Sequence, residues 1–290
     1  MTIDEQRFSY LGQDGTKIAA FRWEGDQNMP KGVIQIAHGA GEHSLRYLEP
    51  LTPIIEAGYI VYSADHRGHG LTAGPEGLGD FGPGGAAAAI DDMAVLSTLI
   101  RRDEAGLPLI LLGHSMGAMF AQGYILDHSD LIDALVLSGT AGGPAPPPGS
   151  PPPTPADRNV FEQRTEYDWL SRDPAEVDKY IADPLCGIRF RPESGASLAA
   201  LRPRLGDPSA LAGVRNNLPV YVFVGDRDPI NANMTRIFPL IDMYNAAGLT
   251  HVKLQVYQGG RHEMLNETNR DEVVADLLDW LDGTVAELGG

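Results

Sequence analysis

Short apolar runs alternate with longer segments of helical periodicity along most of the chain, a pattern typical of β–α units on a mostly parallel sheet. Two runs near the start, at 8–11 and 18–23, predict an antiparallel hairpin. Further strands are predicted at 33–37, 59–64, 109–112, 135–138, 220–224 and 252–257. Helices are predicted at 45–57, 86–102, 116–127, 233–247 and 270–288. The pattern therefore predicts an α/β fold with a central sheet flanked by helices.

The alternation of short apolar runs and helical segments stops between the strands predicted at 135–138 and 220–224. The run 139–155 is rich in proline, which cannot join a helix interior or a central strand, so it is expected to be a stiff linker. Helical patterns return at 157–170, 174–181, 197–205 and 208–214. The aromatic residues that could give this part an apolar core are Tyr167, Trp169, Tyr180 and Phe190.

These boundaries predict a core made of residues 1–140 and 215–290, with a helical cap at 141–214 inserted before the strand at 220–224. The alternative for the insertion is a poorly ordered surface excursion.

The length of 290 residues suits one large α/β domain with an insertion. The composition, 43% hydrophobic and 21% charged, is that of an ordinary globular protein. The formal net charge of −17 would repel nucleic acids and anionic membrane surfaces, so neither is expected as a partner. The expected partner is a small molecule or a lipid ester that serves as substrate. The sequence does not decide between a monomer and a homo-oligomer.

The first ten residues include Asp4, Glu5 and Arg7 and hold no apolar core, so they predict neither a signal peptide nor a membrane anchor. No apolar run reaches the length of a membrane span. The single cysteine, Cys186, excludes an intrachain disulfide, and we interpret it as a buried structural residue rather than a reactive thiol. Together these features predict a soluble, cytoplasmic protein.

The clearest chemical signal is the sequence Gly113-His114-Ser115-Met116-Gly117. It follows a short apolar strand and precedes a helical segment, the context in which a sharp turn presents a serine nucleophile above a sheet. Side chains two residues before and after the serine would collide in such a turn, which explains the glycines. The five-residue pattern alone is weak, and a structural turn is the alternative, but the preceding buried strand favours a catalytic Ser115.

A serine hydroxyl needs a base that is held in place by an acid. Asp226 and Asp228 follow one late strand, and His262 follows the next strand in a glycine-rich loop. The order Ser, Asp, His, each just past a strand, is that of an α/β-hydrolase. A tight turn after Gly225 would direct Asp228 toward His262, so Asp228 is the preferred acid and Asp226 a solvated or loop-capping carboxylate. A surface role is the alternative for His262.

The tetrahedral intermediate of acyl transfer needs two backbone N–H donors for its oxyanion. The amide of Met116, directly after the nucleophile, is expected to supply one. The turn after the strand at 33–37 is expected to supply the other from Ala40, because the neighbouring Gly39 and Gly41 allow a close backbone approach.

Several loop motifs occur together along the chain. They are His38-Gly39-Ala40-Gly41-Glu42-His43-Ser44 with Arg46-Tyr47, Asp65-His66-Arg67-Gly68-His69-Gly70, Gly113-His114-Ser115-Met116-Gly117, Gly225 with Asp228, and Gly260-Arg261-His262-Glu263. This set resembles the monoacylglycerol lipase and lysophospholipase family of α/β-hydrolases. The stretches Asp168-Trp169-Leu170-Ser171-Arg172-Asp173-Pro174 and Asp183-Pro184-Leu185-Cys186 are similar to its bacterial lysophospholipase-like members. The resemblance spans most of the chain and implies the α/β-hydrolase fold.

The resemblance also implies an oxyanion hole from the amides of Ala40 and Met116. It implies that Glu42 and Arg46 form a polar end of the acyl pocket and help to bind the glycerol part of a monoacylglycerol. Animal monoacylglycerol lipases carry a second histidine, which contacts glycerol, three residues after the catalytic one; this chain has Leu265 there. The resemblance is therefore less specific for the substrate than for the fold.

Histidines and acids at 38–43 and 65–69 could suggest a metal site, but neither cluster has helical i, i+4 spacing, and the family uses these loops structurally. The glycine-rich run 79–85 lacks the lysine and spacing of a phosphate loop. Asp91 and Asp92 are interpreted as acidic residues that favour a helix N-terminus. Neither a metal nor a cofactor is expected.

The sequence thus predicts a serine hydrolase that cleaves monoacylglycerols or lysophospholipids through an acyl-enzyme, with Ser115, Asp228 and His262 as catalytic residues. A short-chain carboxylesterase is the main alternative. A prolyl-aminopeptidase-like enzyme would need acidic cap residues to bind a substrate amine, and an inactive receptor with a hydrolase fold is the alternative outside enzymes. The acidic residues available for an amine are Glu162, Glu166 and Asp168.

Overall fold

A computed structural model of the chain describes residues 2–26, 29–142 and 164–288. The strands in this part are β1 (Ile3–Leu11), β2 (Lys17–Gly25), β3 (Gly32–Ala37), β4 (Tyr59–Ala64), β5 (Leu109–His114), β6 (Ala134–Ser138), β7 (Val220–Gly225) and β8 (Val252–Tyr257). They form one sheet in the order β1-β2-β4-β3-β5-β6-β7-β8. The pairs β1–β2 and β2–β4 are antiparallel and all other neighbours are parallel, which confirms the predicted hairpin and mostly parallel sheet.

Helices cover both faces of the sheet. Those in the described part are α1 (Leu48–Glu56), α2 (Gly70–Gly77), α3 (Gly85–Asp103), α4 (Met116–His128), α5 (Pro174–Ala182), α6 (Pro192–Leu205), α7 (Phe238–Ala246) and α8 (Arg270–Leu288). None of these helices is long and apolar enough to cross a membrane.

The central parallel strands are buried on both faces, which explains why they read as continuous apolar runs rather than as alternating ones. Successive residues of β3 enter different cores. Val33 packs in the core shared with α3, α4 and α7, and Ile34 packs in the core shared with α1 and α8. The sheet therefore lies between two helix layers, and the carboxyl ends of its parallel strands meet along one edge.

Several predicted helices differ from the structure: the one at 197–205 begins earlier, at Pro192, and the one at 208–214 is a 3₁₀ helix, Pro208–Gly213. The helix expected at 233–247 begins only at Phe238, because Ala232, Asn233 and Met234 have φ values of 53°, 51° and 72°, which no α-helix accommodates. Residues 164–170 form turns rather than the end of a helix at 157–170. The first half of that predicted helix, and the predicted linker from residue 143 onward, lie outside the described residues.

Asp91 and Asp92 do not lie at a helix N-terminus, which corrects their interpretation as first-turn charges. α3 begins earlier, at Gly85, and places both of them in its interior. Asp92 is buried and accepts from Arg67, with Nε and Oδ2 2.6 Å apart. This carboxylate therefore ties α3 to the loop after β4.

The described residues 164–214, called here the inserted segment, lie between β6 and β7 and contain α5, α6 and a 3₁₀ helix at Pro208–Gly213. The segment contacts the loops that follow β3 and β8. The Gly187 amide donates to the Gly41 carbonyl at 2.9 Å, and the Glu263 amide donates to the Leu170 carbonyl at 2.8 Å. Its aromatic side chains thereby reach the edge of the sheet where the predicted site residues lie.

Candidate active site

Ser115 stands at the sharp turn between β5 and α4. Its backbone angles, φ 54° and ψ −114°, lie in a region that residues other than glycine rarely adopt. Its amide donates to the Ser138 carbonyl at 2.9 Å, which fixes the turn to β6. A Cβ atom at Gly113 would collide with the backbone of Gly117, and one at Gly117 with the carbonyl of Ala37. The two glycines therefore permit the strained turn, for the reason that the sequence indicated.

A continuous series of hydrogen bonds joins the three predicted catalytic side chains. Ser115 Oγ lies 2.8 Å from His262 Nε2, and His262 Nδ1 lies 2.9 Å from Asp228 Oδ2. The other carboxylate oxygen of Asp228 accepts from the Ile230 amide at 2.8 Å. Because Asp228 accepts at Nδ1, that nitrogen carries the ring proton and Nε2 is free to accept from the serine hydroxyl. The arrangement can therefore move a proton from serine to histidine.

The two candidate acids have separate partners. The Asp228 amide donates to the Gly225 carbonyl at 3.3 Å, and this tight turn directs the carboxylate to His262. Asp226 instead accepts from the Gly259 amide at 2.7 Å and so joins the two loops. The structure thus places Asp228 against the histidine and Asp226 at the loop cap.

The two predicted oxyanion donors belong to the two loops that meet at Ser115. Met116 is the first residue of α4, and the N–H of a first helical residue has no partner within the helix. Ala40 lies in the loop after β3 and lines the same cavity as Ser115.

Buried histidines hold the loop that carries Ala40. His69 Nε2 accepts from the Gly41 amide at 3.2 Å, and its Nδ1–H donates to the Arg67 carbonyl at 2.9 Å. Burial lowers the pKa of His69 to about 3, which keeps the ring neutral and able to accept.

His38 works in the same way. Its Nδ1–H donates to the Gly39 carbonyl and its Nε2 accepts from the His66 amide, both at 2.9 Å. Burial lowers the pKa of both His38 and His66. The ring nitrogens of His38 and His69 are thus occupied by hydrogen bonds to backbone groups and are not available to a metal.

One group in the described ranges brings metal-binding atoms together: His43, Asp183 and Cys186 lie with their donor atoms within 4.8 Å of one another. His43 Nε2 is 2.8 Å from Asp183 Oδ2, so this contact links the inserted segment to the loop after β3. Burial raises the pKa of the Cys186 thiol, and the guanidinium of Arg46 is a close electrostatic neighbour. A neutral thiol beside a positive charge is a poor cation ligand.

Arg46 lies between two buried carboxylates, those of Glu42 and Glu263, and over the ring of Tyr180 at 4.9 Å. Burial opposes ionisation of Glu42, but the charge of Arg46 lowers its pKa to about 2. The pKa of Glu263 is lowered as well, again against burial and through Arg46. Glu42 lines the large cavity beside Ser115, whereas Arg46 lines a small void behind it together with Leu265.

Two aromatic rings flank the histidine of the site. The ring centroids of His114 and Trp169 lie 4.8 and 4.9 Å from that of His262. Burial, and then the proximity of His262, lower the pKa of His114 to about 4. No sequence pattern predicts this position for either residue, although each belongs to one of the motifs described above.

Two cavities meet at Ser115. The larger, about 690 Å³, has aromatic walls from the inserted segment, including Tyr167, Trp169, Tyr180 and Phe190. The smaller, about 160 Å³, is lined by Met116, Met119, Gln122, Arg202 and Arg236. Sequence reasoning missed both arginines, because no motif or spacing singles them out.

The chain is similar over most of its length to known hydrolases, lipases and esterases. The family model "Hydrolase_4: Serine aminopeptidase, S33" matches residues 28–269. The monoacylglycerol lipase of Mycolicibacterium smegmatis is 30% identical over 288 residues, 94% of this chain and 95% of that protein. The monoglyceride lipase of Homo sapiens is 29% identical over 290 residues, 96% of this chain and 91% of that protein. A thermostable carboxyl esterase from Bacillus coagulans, solved in complex with glycerol, superposes with a TM-score of 0.86 at 28% identity, covering 98% of this chain and 100% of that one.

Proposed function

Since the chain belongs to the Hydrolase_4 (serine aminopeptidase, S33) family and is an α/β-hydrolase similar to monoacylglycerol lipases, we propose that it is a serine hydrolase of lipid-like monoesters. Its substrates are monoacylglycerols or lysophospholipids, and the reaction passes through an acyl-enzyme. The observation that carries the proposal is the series of hydrogen bonds from Ser115 through His262 to Asp228, at 2.8 and 2.9 Å, beyond the carboxyl ends of three parallel strands.

Ser115 Oγ attacks the ester carbonyl while His262 Nε2 accepts the hydroxyl proton. Asp228 stabilises the imidazolium that forms and keeps the ring in the required tautomer. His262 then gives the proton to the departing alcohol. A water molecule, activated by the same histidine, releases the fatty acid from Ser115.

The negative charge on the carbonyl oxygen is stabilised by the amides of Ala40 and Met116. One such donor is worth about 3 to 4 kcal/mol of transition-state stabilisation in other serine hydrolases. The bonds of His69 and His38 to the loop support this role, because they fix the loop backbone on both sides of Ala40 before substrate arrives.

We assign the inserted segment to the cap predicted at 141–214. Its aromatic side chains on the large cavity are suited to an acyl chain, and Trp169 covers the face of His262. An acyl chain that lies against these rings displaces water from around the reacting ester, which strengthens the hydrogen bonds there. Acyl chains therefore contact the cap as well as the sheet domain.

Glu42 is assigned to the alcohol part of the substrate. Its Oε1 accepts from the Tyr47 hydroxyl at 2.8 Å and from the Gly39 amide, and its Oε2 accepts from Arg46. A carboxylate has about four acceptor sites, so one remains at Oε2 for a substrate hydroxyl in the cavity that Glu42 lines. Arg46 acts through Glu42, because its guanidinium is bound on two sides by carboxylates. The glycerol held by the Bacillus coagulans esterase is consistent with a polar alcohol in such a site.

An aminopeptidase reaction fits the acidic residues less well. Asp168 is used within its own turn, where it accepts from the Thr165 hydroxyl at 2.6 Å. Glu42 and Glu263 on the large cavity are already paired with Arg46, so Glu166 is the remaining acidic residue among the described residues of its lining and would have to bind an amine alone. Glu162 lies outside the described residues.

The test is a chain-length series of p-nitrophenyl esters from two to sixteen carbons, measured beside monoacylglycerols, lysophospholipids and amino-acid p-nitroanilides. We expect the highest kcat/KM at eight carbons or more, turnover of a glyceride or lysolipid, and no turnover of the anilides. Ser115→Ala should lose about 10⁴- to 10⁶-fold in kcat.

Ser9→Ala, an exposed serine on β1, is the matched control and should keep full activity. A maximum at two to four carbons without lipid turnover would make the protein a short-chain carboxylesterase instead. Failure to react with an organophosphonate serine probe would point to a receptor.

A further inference from the structure

Arg202 and Arg236 share the small cavity that opens onto Ser115. Arg202, an exposed residue, comes from α6, and Arg236 precedes α7, so two separate elements each contribute an arginine to the wall of one cavity. Arg236 is half-buried, and burial together with the charge of Arg202 lowers its pKa. The two positive groups are therefore close enough to repel each other.

Neither side chain has a carboxylate partner among the described residues, and no acidic residue in the described ranges lines this cavity. Acidic residues outnumber basic ones in this chain, 39 to 22, and most basic side chains of the described part do have a carboxylate partner. Arg204, two positions along α6 from Arg202, shows the common situation, because its guanidinium holds both carboxylate oxygens of Asp127 at 2.6 Å. Two arginines that converge without a counter-charge form a site that an anion would complete.

The cavity reaches the reacting atoms. Ser115 and Met116, the proposed nucleophile and oxyanion donor, line it together with the two arginines. Its volume of about 160 Å³ is less than a quarter of the 690 Å³ of the aromatic cavity, which suits a compact polar group rather than a long chain. Met119 and Leu205 add apolar surface to the same lining.

We propose that this cavity binds an anionic oxyacid group of the substrate, phosphate or carboxylate, and that Arg202 and Arg236 hold it while Ser115 attacks the ester. This rests on the proposed esterase function and narrows it to monoesters that carry a negative charge near the scissile bond. The acyl chain occupies the aromatic cavity. An acylglycerol phosphate presents such an anion on the alcohol part, and a glyceryl monoester of a dicarboxylic acid presents it on the acyl part.

The kinetic test compares three esters with wild type, Arg202→Gln and Arg236→Gln. The esters are a monoacylglycerol, the acylglycerol phosphate with the same acyl chain, and a glyceryl dicarboxylate monoester. The quantity is the ratio of kcat/KM for each anionic ester to that for the neutral one. We expect this ratio to fall about tenfold or more in each variant for at least one anionic ester, since a charge-assisted hydrogen bond is removed. Arg204→Gln is the matched control on the same helix and should leave the ratio unchanged.

A binding test works without turnover. Calorimetry on Ser115→Ala compares glycerol 3-phosphate with glycerol, and succinate with its dimethyl ester. We expect glycerol 3-phosphate or succinate to bind more tightly than its neutral counterpart. Adding Arg236→Gln should weaken the affinity for that anion about tenfold. High salt should weaken it as well, because salt screens the attraction between the anion and the arginines.

The outcomes separate this inference from the function on which it rests. Turnover of the neutral ester with ratios that do not respond to either arginine variant, and no anion binding, would overturn the anion site and leave the esterase. Anion binding that depends on Arg236 without turnover of any ester would retain the site and reject the esterase. A response from the phosphate ester alone assigns the anion to the alcohol part, and one from the dicarboxylate alone assigns it to the acyl part.

Discussion

Asp226 and Asp228 are two positions apart, yet their carboxylates face different groups. One accepts from the Gly259 amide and the other from the His262 ring. We predict that Asp228→Asn lowers kcat about 10⁴-fold, because an amide at this position favours the wrong histidine tautomer. Steady-state kinetics on the best ester substrate measures the effect.

Asp226→Asn provides the comparison, since its side-chain oxygen can still accept from Gly259. It should keep activity within about tenfold of wild type. Equal losses in the two variants would contradict the assignment of the acid.

Arg46 is the residue whose substitution we expect to affect stability most directly. Arg46→Met would leave the carboxylates of Glu42 and Glu263 buried without their counter-charge. We expect the free energy of unfolding to fall by about 3 to 5 kcal/mol, as for other buried pairs that lose one partner. Urea denaturation of the purified variants measures it.

Arg102→Met is the control, because the Arg102–Asp103 pair is exposed, with side chains 69% and 47% accessible. Such pairs contribute about 0 to 1 kcal/mol. A loss below about 1 kcal/mol for Arg46→Met would contradict this prediction, because it would show that the buried carboxyl groups of Glu42 and Glu263 do not need the charge of Arg46 for stability.

At the scale of elements, the inserted segment contacts the site mainly through Trp169 and its neighbours. Trp169→Ala removes the ring beside His262 and part of the aromatic wall. We expect kcat/KM to fall more for esters of twelve carbons than for esters of two, by about tenfold in the ratio, because only the longer chain uses the wall. The chain-length series applied to this variant checks it.

Ile181→Ala on α5 is a matched control, since that side chain is 46% exposed and does not line the large cavity. It should leave the chain-length profile unchanged. A uniform fall across all chain lengths in Trp169→Ala would show that the ring supports His262 and has no role in substrate selection.

The elements that the sequence predicts well are those specified by local patterns. β5 and α4 follow from an apolar run, a glycine-flanked turn and helical spacing, and the meeting of Ser115, Asp228 and His262 follows from the ends of parallel strands. The start of α7 could not be predicted, because the left-handed residues before it depend on a tertiary setting. The pairing of Arg46 with Glu263 joins residues 217 positions apart, and no local pattern specifies such a contact.

For the molecule as a whole, buried neutral histidines link stability to pH. The folded protein lowers the pKa of His69 to about 3 and of His114 to about 4, from an ordinary value of 6.5. Between pH 6.5 and 4 the unfolded chain therefore binds more protons than the folded one, and the free energy of unfolding falls as the pH falls. Each histidine contributes up to about 1.4 kcal/mol per pH unit, and urea titrations at about pH 7 and pH 5 measure the sum.

His69→Asn keeps a donor and an acceptor but does not titrate, so the loss between these pH values should be smaller than in wild type. The lowered pKa of Glu42 acts in a different window, because the stability it contributes is lost only as the pH falls from 4.5 toward about 2. An unchanged pH dependence in His69→Asn would contradict a neutral His69 in the folded protein.

The distance along the chain between Ser115 and His262, 147 positions, has a consequence for the making of the protein. During synthesis the strand that presents the serine leaves the ribosome long before the strand that presents the histidine, and the sheet is completed from one side. Under the proposed mechanism, a nascent chain therefore carries the nucleophile before its base, and ester hydrolysis requires that β7 and β8 have docked. We expect recovery of esterase activity after dilution from denaturant to follow the last step of folding, later than the recovery of helical signal.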